Sequence, residues 1–379
     1  MRPAALVYTP RFAEYDLGPS HPLRPVRVQR TYELIRACGL LEKEGVFLAR
    51  PTPVDEETLA LVHSAEYINA VRAPGERRAV RRPIEYGLGT ADNPIVPNMY
   101  EAAALVVGGS VLAADLVVRG KAAAAFNPSG GLHHAHRARA AGFCIFNDAA
   151  VAIEHIARAT GGGVKIAYVD IDAHHGDGVQ EAFYSRRDVM TISVHETGRY
   201  LFPGTGGVDE VGEGEGEGFS VNLPLSPQTT DDVYLWAFRE IVPPLLEAFE
   251  PDFVVSQLGA DTHFRDPLTH MCLTTRGYDA VVAEIAARAR RWVAVGGGGY
   301  DVSVVPRAWT LAFARMLGED APESIPQPEA KHYGGDGSVP LHDTTGPRVD
   351  DEWARIAREF AQQAVEAVKE RVFPYHGLA

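Results

Sequence analysis

The sequence predicts one large α/β unit with long loops at the carboxyl ends of its strands, and three observations lead there. Short apolar runs alternate with helical patterns along the chain, the order expected of helices packed on a mostly parallel sheet. The 379 residues are 46% hydrophobic and 23% charged, which is enough apolar material for a large core. The polar clusters each follow an apolar run, where an open parallel sheet gathers its ligands. Length alone allows two domains. The unbroken alternation favours one over 1–379, with a core to about 317 and a tail over 318–379.

Leu6–Tyr8 reads as the first strand, followed by the loop Gly18-Pro19-Ser20-His21-Pro22. Arg27–Leu41 reads as a helix, with Val28, Tyr32, Leu34, Ile35 and Leu41 as its apolar positions. Asp55–Val71 is a second helix, opened by an acidic first turn. Residues 72–97 form a loop with a solvated basic run, Arg77-Arg78 and Arg81-Arg82, and loops of that length are often functional. Asn98–Val118 reads as a long buried helix; its stretch Ala102–Val118 is the most apolar long segment, and Gly108-Gly109, Ser110 and Asp115 interrupt it, which argues against a membrane span.

The strand Ala122–Asn127 leads to the helix Asn147–Ala159, the strand Val164–Asp172, the short helix Gly178–Tyr184 and the strand Val189–Val194. A rigid aromatic turn, Tyr200–Gly206, and a Gly/Glu alternation over Gly212–Gly218, read as a flexible acidic loop, come next. Asp231–Phe249 is a helix, Phe253–Leu258 a strand, Thr275–Arg291 a helix and Trp292–Val295 a strand. Val304–Leu317 and Asp351–Val372 are the last helices, with a loop rich in Pro, Gly and Asp between them.

Bulk charge narrows the function. With 50 acids against 36 Lys and Arg the net charge is -14, which argues against a nucleic-acid groove or an anionic membrane surface. Cys38, Cys144 and Cys272 are widely spaced and form no Cys-x-x-Cys pair, so the thiols are expected to be reduced and the protein cytoplasmic. The apolar run at the N-terminus is too short for a signal peptide.

The chemistry collects behind the strands. Tyr168-Val169-Asp170-Ile171-Asp172-Ala173-His174-His175-Gly176-Asp177-Gly178 places Asp170, Asp172 and His174 on one face of an extended segment. Asp172 and His174 make a pair of metal ligands, and Asp261, an acid at the end of an apolar strand, is the third; as a lone residue it reads equally well as a capping acid. Three protein ligands with an open position suit catalysis, and nitrogen plus oxygen donors suit Zn²⁺, with Fe²⁺ or Co²⁺ compatible. Two carboxylates leave the site in need of a separate base. His133 and His134, in a Gly-rich loop, supply one, with Asp170 and Asp177 free to orient them. Tyr300, after four glycines, can donate to a carbonyl oxygen. Phe143 and Phe202 can wall an apolar channel, or simply pack.

These residues carry a resemblance. Gly130–His134, Gly142-Phe143-Cys144-Ile145-Phe146-Asn147-Asp148, Tyr168–Gly178, Phe202-Pro203-Gly204-Thr205-Gly206, Gln257-Leu258-Gly259-Ala260-Asp261 and Gly296–Tyr300 together resemble the zinc-dependent histone deacetylase family, nearest its bacterial acetoin-utilization branch. The likeness runs in order from the first strand to about Leu317. It implies the arginase/deacetylase fold, zinc on Asp172, His174 and Asp261, and His134–Asp177 as general base and acid. It makes His133–Asp170 the electrostatic partner dyad and Tyr300 the carbonyl polariser. It implies a lysine tunnel of Phe143, Phe202 and Leu268, with Gly142 and Gly298 also meeting substrate and Asp92 as the rim acid. Arg27 and Cys144 would line an internal cavity, and potassium would sit near Asp170, Asp172, His174, Ser193, Val194 and Phe183.

The reading is a metal-dependent amidohydrolase acting on the acylated lysine of a protein or peptide, with acetyl-CoA synthetase implied as a target by the branch alone. Acetylpolyamines are the alternative substrates. A two-metal ureohydrolase is a rival that would need further acids where Gly176 and His263 stand. A non-enzymatic binding protein is the remaining class, disfavoured by a complete catalytic set. His175 is left to packing or support of its neighbours.

Overall fold

A computed structural model describes residues 3–334 and 339–379. Eight strands form one sheet: β1 (Ala4–Val7), β2 (Val46–Ala49), β3 (Ala124–Asn127), β4 (Ile166–Asp170), β5 (Val189–Glu196), β6 (Ser220–Leu225), β7 (Phe253–Gln257) and β8 (Trp292–Val295). Their order is β2-β1-β3-β8-β7-β4-β5-β6, and every pairing is parallel. The six inner strands are buried along their whole length, as befits strands covered on both faces, and they read in sequence as short continuous apolar runs.

The covering helices are α1 (Val26–Ala37), α2 (Glu56–Leu59), α3 (Ala65–Arg72), α4 (Met99–Val118), α5 (Asp148–Ala159), α6 (Asp177–Phe183), α7 (Asp231–Phe249), α8 (Thr275–Arg288), α9 (Val305–Leu317) and α10 (Asp351–Val372). Among the described residues α4 is the one helix long and apolar enough to cross a membrane. It packs instead on α5, β3 and β8, and its Ser110 hydroxyl is bonded to Asp148 at 2.5 Å. It is a core helix, as its Gly-Gly-Ser interruption implied.

The sheet corrects the sequence reading at both of its margins. β2 and β6, the two edge strands, are unassigned in the sequence. β2 is four residues long and only half-buried. β6 alternates Ser220, Asn222 and Pro224 with Val221, Leu223 and Leu225; its proline removes a ladder donor, which an edge position tolerates. The helix over Asp55–Val71 is two helices, α2 and α3, each started by its own side-chain cap, Asp55 and Ser64. α8 stops at Arg288 and not at Arg291. The Gly212–Gly218 loop is pinned: Glu213 N donates to Tyr184 O at 3.0 Å, and Gly218 N to Val211 O at 2.7 Å.

The tail closes the structure. α10 packs against β6 and α7 through Ala357, Ala361, Ala364, Val365, Val368 and Val372, so it shields that edge of the sheet from pairing with another chain. Burying each valine contributes on the order of 1.5–3 kcal/mol. Two short antiparallel strands, β9 (Ser324–Ile325) and β10 (Val339–Pro340), form a hairpin in the Pro, Gly and Asp-rich connection. Part of that connection, 335–338, lies outside the described residues, as do residues 1–2 at the N-terminal run.

Candidate active site

Strand register brings the chemistry together. The last residues of four adjacent central strands share one row: Asn127 pairs with Val295, Val295 with Gln257, and Gln257 with Asp170. The loops that leave this row carry His133 and His134 from β3, Tyr300 from β8, Asp261 from β7, and Asp172 and His174 from β4. Parallel pairing thus sets residues separated by up to half the chain onto one edge of the sheet, the usual ligand position in such folds.

Asp172, His174 and Asp261 are buried, and their ligand atoms all lie within 4.8 Å of one another. His174 Nδ1 stands 3.1 Å from Asp172 Oδ1 and 2.9 Å from Asp261 Oδ2. Those separations approach the ~3.3 Å edge of a tetrahedron built with bonds of about 2.0 Å. The outward carboxylate oxygens are already occupied. Asp172 Oδ2 accepts from Gln257 Nε2 at 2.6 Å and Gly298 N at 2.7 Å, and Asp261 Oδ1 accepts from Ala173 N at 2.8 Å. The remaining oxygens, Asp172 Oδ1 and Asp261 Oδ2, both face His174 Nδ1, and Asp172 Oδ1 also accepts from His174 N at 3.0 Å. Two buried carboxylates and one imidazole fit a divalent cation, which compensates charge that burial would otherwise penalise.

Two histidine–carboxylate dyads lie alongside. His133 Nδ1 meets Asp170 Oδ2 at 2.7 Å, and His134 Nδ1 meets Asp177 Oδ1 at 2.7 Å. The two Nε2 atoms face each other at 3.0 Å, so one proton sits between them. Burial alone would depress both rings. The Asp170 and Asp172 charges outweigh it at His133 and push that ring up to about 9. At His134 burial prevails, the neighbouring His133 charge adds to it, and the ring falls to about 3. The two rings are thus shifted in opposite directions, His133 upward and His134 downward.

Tyr300 completes the group. Burial first, then the Asp261 and Asp172 charges, raise its phenol far above the ordinary value, so it stays protonated and can donate. Its backbone N–H is held by Asp266 Oδ2 at 2.8 Å, while Asp266 Oδ1 takes the N–H of half-buried Leu268 at 2.9 Å. Phe143 stands edge-on to Tyr300 with ring centroids 5.8 Å apart, and Phe202 edge-on to His134 at 4.9 Å. Phe202 is 45% exposed, as a residue at an entrance would be. Gly142 lies between the His134 and Phe202 rings.

Arg27 is buried and donates to Gly297 O at 2.6 Å and Gly299 O at 3.0 Å. A small cavity at the site itself is lined by Arg27 and Cys144 together with His133, His134, Asp172 and Tyr300, among others. Exposed Asp92 reaches the group indirectly: its carbonyl bonds His21 Nε2 at 3.2 Å, and the His21 ring packs on Phe143 at 4.5 Å. Ser193 pairs in register with Asp170, Val194 follows it and accepts from Tyr234 OH at 3.2 Å, and Phe183 ends α6.

The second-metal positions of the rival are otherwise engaged. His263 Nε2 bonds Asp343 Oδ2 at 2.7 Å in the tail. A side chain at Gly176 would begin 2.5 Å from Asp170 Oδ2, so an acid does not fit there. His175 bonds Thr205 Oγ1 at 2.8 Å and Gln180 Oε1 at 3.2 Å; it ties the Phe202 turn to α6, the supporting task expected of it.

Sequence reading missed Gln257 and Asp148. Asp148 accepts from Gly131 N and Leu132 N at 3.0 and 2.7 Å and so shapes the histidine loop. Gln257 was legible as a polar residue ending an apolar strand, the same signal that marked Asp170; Asp148 looked like an ordinary helix-start acid.

Residues 21–316 match the family model described as the histone deacetylase domain. The acetoin utilization protein AcuC of Bacillus subtilis (strain 168) is 45% identical over 333 residues, 86% of this chain and 85% of that protein. AcuC of Staphylococcus aureus (strain MRSA252) is 37% identical over 320 residues, 83% of this chain and 81% of that one. Among solved structures, an HDAC homolog complexed with SAHA superposes with a TM-score of 0.84 at 31% identity, covering 96% of this chain and 99% of its own. The HDAC homolog from Aquifex aeolicus gives 0.83 at 31% identity. Sequence, sheet order and relatives agree: the chain has the arginase/deacetylase fold and belongs to the histone deacetylase family of hydrolases, in its acetoin-utilization branch.

Proposed function

We propose that the protein is a cytoplasmic, zinc-dependent deacetylase that hydrolyses the acetyl amide of modified lysine side chains in proteins. The observation that carries this is the convergence of three metal-ligand atoms with the His134–Asp177 dyad, Tyr300 and an aromatic entrance. Asp172, His174 and Asp261 would hold a divalent cation, which would supply Lewis acidity at the acyl group.

The protein groups do the rest. Phe143 and Phe202 guide the aliphatic lysine stem between their rings, and Leu268, Gly142, Gly298 and rim Asp92 complete the contacts to substrate. Tyr300 donates to the acyl oxygen as negative charge develops on it. His134 accepts the proton of the attacking water at Nε2, while Asp177 stabilises the imidazolium through Nδ1–H. His134 then returns that proton to the departing amine, and acetate leaves past Arg27 and Cys144. His133 and Asp170 keep a fixed charge beside the reacting centre. A potassium ion near Asp170, Ser193, Val194 and Phe183 belongs to the same proposal as a structural ion.

Turnover of acetyl-lysine peptides, longer-acyl peptides and acetylated polyamines by metal-loaded protein tests the reading; acetylated acetyl-CoA synthetase is the first protein target to try. Acetyl-lysine peptides should be cleaved fastest. Preference for acetylpolyamines would replace the substrate class, and two metal equivalents per chain would favour the ureohydrolase rival.

A further inference from the structure

The two dyads differ in what holds the far side of the carboxylate. The far oxygen of Asp170, Oδ1, accepts from the neutral backbone N–H of Asp172 at 3.1 Å, while the Tyr168 hydroxyl shares Oδ2 with His133. Behind Asp177 stands another histidine. His136 Nε2 lies 3.3 Å from Asp177 Oδ2, and its Nδ1 lies 2.5 Å from Glu181 Oε2. The residue is 7% exposed, whereas the Glu181 side chain is 56% exposed. A cleft lined by His136, Arg139, Asp177, Glu181, Phe202 and Glu213 opens there to solvent.

We propose that His136 is a positioning residue for the His134–Asp177 dyad: as an imidazolium it bridges Asp177 and Glu181 and so fixes the carboxylate that orients the general base. This rests on the deacetylase reading of the site. The geometry contains two alternatives for Nε2. Protonated, it donates to Asp177. Deprotonated, it can only accept, and Arg139 NH2 waits at 3.1 Å to donate to it. With the remaining proton kept at Nδ1 on the shorter contact to Glu181, loss of the Nε2 proton releases Asp177 Oδ2.

The charged groups around His136 are Asp177 and Glu181 from α6 and Arg139 from its own loop, with Glu210 and Glu213 across the cleft. Burial opposes the charged ring, but hydrogen bonds to Asp177 and Glu181 outweigh it, and the ring is pushed up to about 9. The bridge is therefore closed at neutral pH and opens in the alkaline range. His63 reaches His136 only through the backbone, its Nδ1 facing His136 O at 3.0 Å, and leaves the imidazole free for this task.

His136→Gln, His136→Lys and Glu181→Gln test the proposal, each as metal-loaded full chain. His136→Gln should lower kcat roughly 10-fold, in the range of lost supporting contacts to catalytic groups, with KM nearly unchanged and the alkaline limb of the kcat profile displaced. His136→Lys keeps a cation and should recover most of kcat, its limb moved toward lysine's titration. Wild-type kcat and limb in His136→Gln, or no recovery in His136→Lys, would overturn the ionic role. Imidazole titration by NMR gives a readout independent of turnover: His136 should titrate above its ordinary value, and lower in Glu181→Gln. A His136 that titrates at or below about 6.5 sinks the proposal, whereas absence of any acyl-lysine turnover in wild type counts against the functional reading alone.

Discussion

Tyr168 OH donates to Asp170 Oδ2 at 2.7 Å, the oxygen that also holds His133 Nδ1. The contact follows from strand geometry, since residues two apart on β4 share a face and the next alternate residue is the metal-ligand candidate Asp172. Tyr168→Phe removes one donor from a fully buried carboxylate. The expected cost is about 1–3 kcal/mol of stability, and the less satisfied carboxylate should hold the His133 proton more tightly. Urea denaturation of the variant checks this; unchanged stability would show that the hydroxyl contributes nothing to the dyad.

Gly298 approaches the carboxylates so closely that substitution should empty the metal site. A methyl group there would lie 2.0 Å from Asp261 Oδ2 and 2.8 Å from Asp172 Oδ2. Its N–H is also one of the two donors on Asp172 Oδ2. Gly298→Ala should fold yet bind metal at least 10-fold more weakly, in the manner of lost outer support to a ligand. Metal content after dialysis against a defined zinc concentration reads the effect, and full occupancy in the variant would refute the crowding argument.

The sequence showed the site more completely than its supports, and the reason is physical. Asp172, His174 and Asp261 announce themselves because charged groups at the ends of apolar strands are costly unless they have a task. Gln257 supports Asp172, and Asp148 supports the histidine loop, by ordinary hydrogen bonds for which no residue pattern is diagnostic. The fold behaved likewise. Inner strands such as β4 and β7 are buried on both faces and read as apolar runs, whereas β2 is only half-buried and β6, buried under α10, alternates polar with apolar residues, so both were lost. The bridging place of His136 was invisible because Glu181 reaches it only once α6 has formed.

Tyr300→Phe keeps the ring that packs on Phe143 and deletes only the donor. Stability and metal content should stay near wild type. The rate should fall about 100-fold or more, the scale set by removal of a single donor to a developing oxyanion, with kcat reduced far more than KM changes. Turnover close to wild type would remove Tyr300 from the reaction.

Asp343 makes the tail part of the site's scaffold. Its Oδ2 accepts from His263 Nε2 at 2.7 Å and Thr275 N at 2.9 Å, and its Oδ1 from Arg307 NH2 at 2.9 Å. Burial alone would raise this carboxyl, but those donors outweigh it and hold it well below the usual carboxylate range. A depressed folded-state value means the stabilisation is complete above the unfolded value of about 3.9 and is lost as pH falls below it. Asp343→Asn should therefore cost roughly 1.5–3 kcal/mol at pH 7, and the gap to wild type should close as pH drops below about 4. Urea titrations across that range measure it. The backbone of Asp266 donates to His263 O at 2.8 Å, and the Asp266 carboxylate holds Tyr300 N. Loosening Asp343 should consequently lower kcat as well, and a variant with lost stability but wild-type kcat would confine the clamp to folding.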